Sequence, residues 1–232
     1  MAGVITHLVI AKEILKLLPE ETIKDKGLFY LGAFAPDAIH AREGYIRSHK
    51  QHTHFRNDIP DRAFEDKDNY VLYQERLIAF IEANRNREGD LLDLYRGYVV
   101  HIITDELFIL SIRKEFCEVM IRLGIDQQDA PFFENIVTDM NRNDMLLVEG
   151  YEGMEEIYKA MEEVGIYPIE GYISEQEMSI SRDWLIYQHF IKKQELLQPR
   201  YIKHERLLEF IQEAAKEIAH RLSEGEILPK MI

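Results

Sequence analysis

The chain has 232 residues, 46% of them hydrophobic, which supplies a full core for one large domain and excludes a disordered chain. Lys and Arg number 28 against 42 Asp and Glu, and a formal charge of -14 argues against general nucleic-acid binding, because phosphate would be repelled. Cys117 is the single cysteine, so an intrachain disulfide and a thiolate metal cluster are both excluded; any metal must be held by imidazole and carboxylate.

The first predicted element is an amphipathic helix. Ile5, Leu8, Ile14, Leu15 and Leu18 recur at helical spacing, Thr6 is a candidate cap and Pro19 ends the run. This segment has no basic start and is interrupted by His7, Lys12, Glu13 and Lys16, so it does not read as a signal peptide. No run approaches the roughly 20 apolar residues of a membrane span, and a cytoplasmic location is expected. A short helix over 27–34 meets Pro36, whose ring disfavours helix at Ala35 and leaves Asp37 just after a turn. Residues 40–62 have no clean period and predict a long loop, followed by a helix over 70–84. The stretch 91–123 is apolar on nearly all sides of its middle, which predicts a central, buried helix. Further helices are predicted over 132–147, 154–164, 175–197 and 201–223, with Pro199 between the last two. Strand-like alternation is nearly absent and no linker divides the chain. The expected fold is all-α, a single domain over 1–232.

Chemistry concentrates in Tyr98-Val-Val-His101-Ile-Ile-Thr-Asp105. At about 3.6 residues per turn, positions i and i+4 share a helix face, so imidazole and carboxylate can reach one ion. A buried carboxylate without a partner costs several kcal/mol, so Asp105 must be paired or metal-bound. Two readings of the pair stand: a hydrogen bond inside the core, or a metal site. Upstream, His7 interrupts the apolar first helix, Asp37 follows the Pro turn, and His52-Thr-His54-Phe55 presents two imidazoles.

The ordered set Thr6-His7, Gly32-Ala-Phe-Ala-Pro36-Asp37, His52-Thr-His54-Phe55 and Gly97-x3-His101-x3-Asp105 resembles the zinc-dependent phospholipase C family, related in fold to the S1/P1 nucleases. The resemblance covers roughly the first 110 residues, which hold all these ligands, and leaves a divergent helical C-terminal half. It implies a multi-helix domain with a metal site in a cleft between helices. One zinc would be held by Asp37, His54, His101 and Asp105. A second would share Asp105 as a bridge and add His7. Secreted members complete that second site with the terminal amine; here, excision of Met1 would leave an Ala2 amine five positions before His7. The third zinc of those members requires a histidine near Ser111, and none occurs between His101 and His189. His220-x3-Glu224 has the spacing of the remaining ligands but lies at the far C-terminus, where pairing on a solvated helix is the plainer reading. One or two divalent ions are therefore expected, and the nitrogen and oxygen donors favour zinc.

The activity implied is metal-dependent hydrolysis of a small anionic phosphoester, with a metal-acidified water as nucleophile. Asp37 would also be catalytic, orienting that water or accepting its proton. Between His40 and Arg56 the chain gathers Arg42, Arg47 and Lys50 besides those two, against Glu43 alone, with His49, His52 and His54. This basic island either attracts the anionic substrate, with His52 and Arg56 as the candidate substrate-binding residues, or is a solvated loop. His189 reads as a core or surface histidine, and the tyrosines at 151, 158, 167 and 172 either line a cleft or pack. Two alternatives compete. An HD-type phosphohydrolase needs a His-Asp doublet, which is absent; a non-catalytic metal-containing module would bind an anionic ligand. Neither duplex nucleic acid nor a membrane span is expected as partner.

Overall fold

Backbone hydrogen bonding is almost wholly helical in the computed structural model, which describes residues 2–87, 89 and 91–223. The elements are α1 (Val4–Leu17), α2 (Lys26–Phe34), α3 (Arg47–Thr53), α4 (Lys67–Asn84), α5 (Leu91–Phe108), α6 (Lys114–Arg122), α7 (Ala130–Gly150), α8 (Met154–Glu163), α9 (Glu175–Leu185) and α10 (His204–Ser223). Among the described residues the only β pairing is a single bridge between Ile169 and Ile173. The expected all-α class holds, and among these residues no helix is long and apolar enough to cross a membrane.

α5 is the central element, with Val100 and Ile103 sealed from solvent. α2 crosses it backbone against backbone, because Gly32 and Gly97 face one another. A Cβ on Gly32 would stand 2.0 Å from the Leu94 carbonyl oxygen, and one on Gly97 2.1 Å from that of Phe29. Only glycine permits this approach, and it brings the His101 ring to Ala33. α1 packs on α2, α7 and α10, while α9 lies along the tight turn Ala35–Ala41 that follows α2.

Capping decides where several helices begin. Asp25 accepts from the Leu28 N–H and starts α2. At α1 the expected cap was Thr6. Instead the carboxylate of Asp144, on α7, accepts from the N–H groups of Ile5 and Thr6 and from the Thr6 hydroxyl. The long loop expected over 40–62 contains α3; its exposed residues are polar, so no apolar period marks it. The continuous helix expected over 91–123 is interrupted at Ile109–Arg113 by a wide π turn, where the Ser111 hydroxyl bonds back to the Leu107 carbonyl. The helix expected to reach 197 leaves α-geometry after Leu185. Beyond it, Asp139 takes the N–H groups of Arg200, Tyr201 and Ile202, which pins that stretch outside any helix until α10.

Candidate metal centre

The five candidate ligands come from four places in the fold: His7 from α1, Asp37 from the turn after α2, His54 from the end of α3, and His101 and Asp105 from adjacent turns of α5. The structure brings all five together. The ring of His7 stacks on that of His101, centroids 3.7 Å apart and planes within 7°. His54 Nε2 lies 3.2 Å from His101 Nε2, 3.5 Å from Asp37 Oδ1 and 3.6 Å from Asp105 Oδ2. His7 Nε2 lies 3.4 Å from Asp105 Oδ1, which also accepts from the Ala2 N–H at 2.9 Å. The two oxygens of Asp105 thus face different histidines. Two triads have one donor atom each within 4.8 Å of the others: His7, His101 and Asp105, and Asp37, His54 and His101.

The protonation of the rings follows from their partners. His101 Nδ1 stands 2.7 Å from the Ala33 carbonyl oxygen and His54 Nδ1 2.9 Å from that of Lys50. A carbonyl only accepts, so both Nδ1 atoms carry the hydrogen and both Nε2 atoms present lone pairs. Two lone pairs then meet at 3.2 Å, with a carboxylate on either side and, among the described residues, no donor between them. Among the described residues neither nitrogen of His7, nor Asp105 Oδ2, has a hydrogen-bond partner, although all three atoms are buried. Unsatisfied buried polar atoms at this density are rare in native cores.

The electrostatics point the same way. Burial lowers the His54 pKa to about 4 and drives that of His101 well below its usual value, with His7 adding to the effect on His101. Burial opposes ionisation of Asp37 and Asp105 as well, yet both stay far below the usual carboxylate range. At Asp37 the Lys50 ammonium and His54 outweigh burial; at Asp105, the His7 imidazole does. Neutral imidazoles and ionised carboxylates are the forms that bind a divalent cation.

A cleft of about 570 Å³ reaches this cluster at Asp37. Asp37, Lys50, Ala2, Asp144 and His189 lie in its lining, and an apolar wall is built by Phe133, Ile136, Val137 and Met140 of α7 with Ile180 and Trp184 of α9. Two expected substrate-binding residues lie elsewhere. His52 stacks on Tyr172 and donates from Nε2 to the Gly171 carbonyl. Arg56 is buried against the Phe64 ring and Asp61. The four tyrosines do not line the cleft either. The basic island is largely neutralised, Arg42 by Glu177 and Arg47 by Asp61, and it contributes Lys50 and His40 to the cleft. Lys50 was not singled out as a site residue. Reading 47–53 as a helix would have placed it one turn before His54, on the same face. His220 lies on α10, and its partner Glu224 is outside the described residues.

No family model, curated protein or solved structure matches this chain.

Proposed function

We propose that the chain is a metal-dependent phosphoester hydrolase whose centre holds one or two divalent ions, zinc by the chemistry of its donors, through His7, Asp37, His54, His101 and Asp105. The observation that carries the reading is the meeting of two imidazole lone pairs, 3.2 Å apart and flanked by two carboxylates held in the ionised form, Asp105 buried and Asp37 half-buried at the edge of the cleft. Packing alone gives no reason for that arrangement, and a cation satisfies every member of it. The resemblance in residue order to zinc-dependent phospholipase C and its relatives supports both the ion and the reaction class.

When bound, the metal supplies Lewis acidity and brings the pKa of a bound water toward neutrality. The protein's own groups do the rest. The Ala33 and Lys50 carbonyls fix the tautomers and orientations of His101 and His54, as partners behind a ligand commonly do. Asp37 stands where the cluster opens to the cleft and is placed to orient an attacking water or take its proton. The wall on α7 and α9 excludes water and receives the organic part of the ester.

The test is metal analysis of protein purified without added zinc, alongside Asp105→Asn, which keeps the volume and removes the charge. The expected result is one or two ions per chain in the parent and a loss to background in the variant, with metal-dependent turnover of phosphoesters absent from His101→Ala. A parent chain that takes up no zinc, manganese or magnesium on titration overturns the reading.

A further inference from the structure

We propose that Lys50 is the substrate-anion site of this cleft and that it selects a terminal phosphate, so that the preferred substrate is a phosphomonoester of an apolar alcohol. This rests on the hydrolase reading above and adds the substrate class.

Lys50 is 9% exposed, and its ammonium is ion-paired with Asp37 at the cleft floor. Taking an ammonium out of water costs several kcal/mol unless its surroundings compensate. An ammonium carries three N–H donors, and among the described residues Lys50 Nζ bonds to Asp37 alone. Two donors are left on a buried cation that lines a cavity. Among the described residues the lining contains no arginine and no second lysine, and its remaining carboxylate, Asp144, is committed to the start of α1. Among the described residues the cleft therefore has one fixed cation with hydrogen bonds to give, beside the proposed metal ligand Asp37. Lysine is a point-charge phosphate binder.

The choice between phosphate classes follows from counting oxygens. A diester has two non-bridging oxygens and one charge. A monoester has three strong acceptor oxygens and a charge near -2 at neutral pH, so an oxygen remains for Lys50 after metal ions have been engaged. The wall opposite, with Phe133, Val137, Ile180 and Trp184 exposed in it, offers apolar surface for the alcohol and no charged partner for a polar head group. Hydrolysis forms a P–O bond from water, breaks the P–O bond to the alcohol, passes the water's proton to the leaving oxygen and leaves inorganic phosphate.

That product is the probe. Calorimetric titrations of zinc-loaded parent, Lys50→Met and Lys50→Arg with inorganic phosphate and with dimethyl phosphate test the proposal, with zinc content measured on each sample. The parent is expected to bind phosphate at least about tenfold more tightly than dimethyl phosphate, about 1.4 kcal/mol. Lys50→Met should lose about tenfold or more in phosphate affinity at unchanged zinc content, with dimethyl phosphate binding little altered, and Lys50→Arg should recover part of the loss. Unchanged phosphate affinity in zinc-loaded Lys50→Met would show that Lys50 is only the counter-ion of Asp37, and the proposal fails. Equal affinity of the parent for both anions also overturns it, and needs no variant to fold. A parent that binds no zinc brings down the hydrolase reading itself, a result distinct from the other two.

Discussion

Replacing Gly97 with Ala tests whether the crossing of α2 and α5 builds the metal centre. The new Cβ would sit 2.1 Å from the Phe29 oxygen, 2.8 Å from the Ala33 nitrogen and 2.9 Å from the Gly32 Cα, all backbone atoms that no rotamer change can move. Restoring an ordinary contact of about 3.4 Å requires α5 to shift by about 1.3 Å from α2. Overpacking of this kind costs about 1–3 kcal/mol, and a rigid neighbour puts it at the upper end. Helix propensity returns about 1 kcal/mol, since alanine replaces glycine within a helix. The same shift stretches the 2.7 Å contact between His101 Nδ1 and the Ala33 oxygen beyond hydrogen-bonding range, a further loss of about 1 kcal/mol. The net expectation is a destabilisation of about 2–3 kcal/mol, read by urea unfolding in the presence of a chelator. Zinc affinity should fall as well, because the ring of His101 loses the carbonyl that orients it. Gly150→Ala, at the end of α7 with nothing within 4 Å of the added Cβ, is the control and should be neutral or slightly stabilising. If Gly97→Ala unfolds within about 0.5 kcal/mol of the parent, the crossing is not set by that glycine and the reasoning is refuted.

Asp144→Ala should cost about 2–4 kcal/mol in thermal or denaturant unfolding, because the Ile5 and Thr6 N–H groups and the Thr6 hydroxyl lose their acceptor in a buried place; a loss below about 1 kcal/mol would mean that water replaces the carboxylate. Metal-free protein should become less stable as pH falls from about 6.5 toward 4. The unfolded chain takes up protons on His54 and His101 near pH 6.5, whereas burial keeps both neutral in the fold, His54 down to about 4. Each group contributes a slope of up to about 1.4 kcal/mol per pH unit in that window. Below about pH 4 the lowered carboxyls of Asp37 and Asp105 extend the loss, since their stabilisation is present above their unfolded pKa and vanishes as they protonate. Denaturant midpoints at pH 7, 6 and 5 that coincide would contradict this.

The part of the site confined to one helix was legible in the chain. His101 and Asp105 share a face by helical periodicity alone, and the apolar run around them marks α5 as buried. The position of Asp37 just past Pro36 was equally local. His52 and His54 show the limit of reading neighbours without their element. Two residues apart at the end of a helix, they point in nearly opposite directions, so His54 is 1% exposed in the cluster while His52 turns to Tyr172. α3 itself escaped notice because its ordering comes from its surroundings and no apolar stripe announces it.

Local pattern and composition determined the helical class, the extent of most helices, the central place of α5 and which side chains are able to bind a cation. Tertiary structure decided which of those side chains meet. The glycine crossing sets His101 on Ala33, the fold carries His7 across to stack on His101, and Asp144 on α7 starts a helix more than a hundred residues earlier in the chain. It also separated Lys50 from the other basic groups of its segment, since Glu177 arrives from α9 to take Arg42 while Asp61, later in the same stretch, takes Arg47. Periodicity reports which face of an element is buried; what that face is buried against depends on contacts between distant segments, which no local pattern encodes.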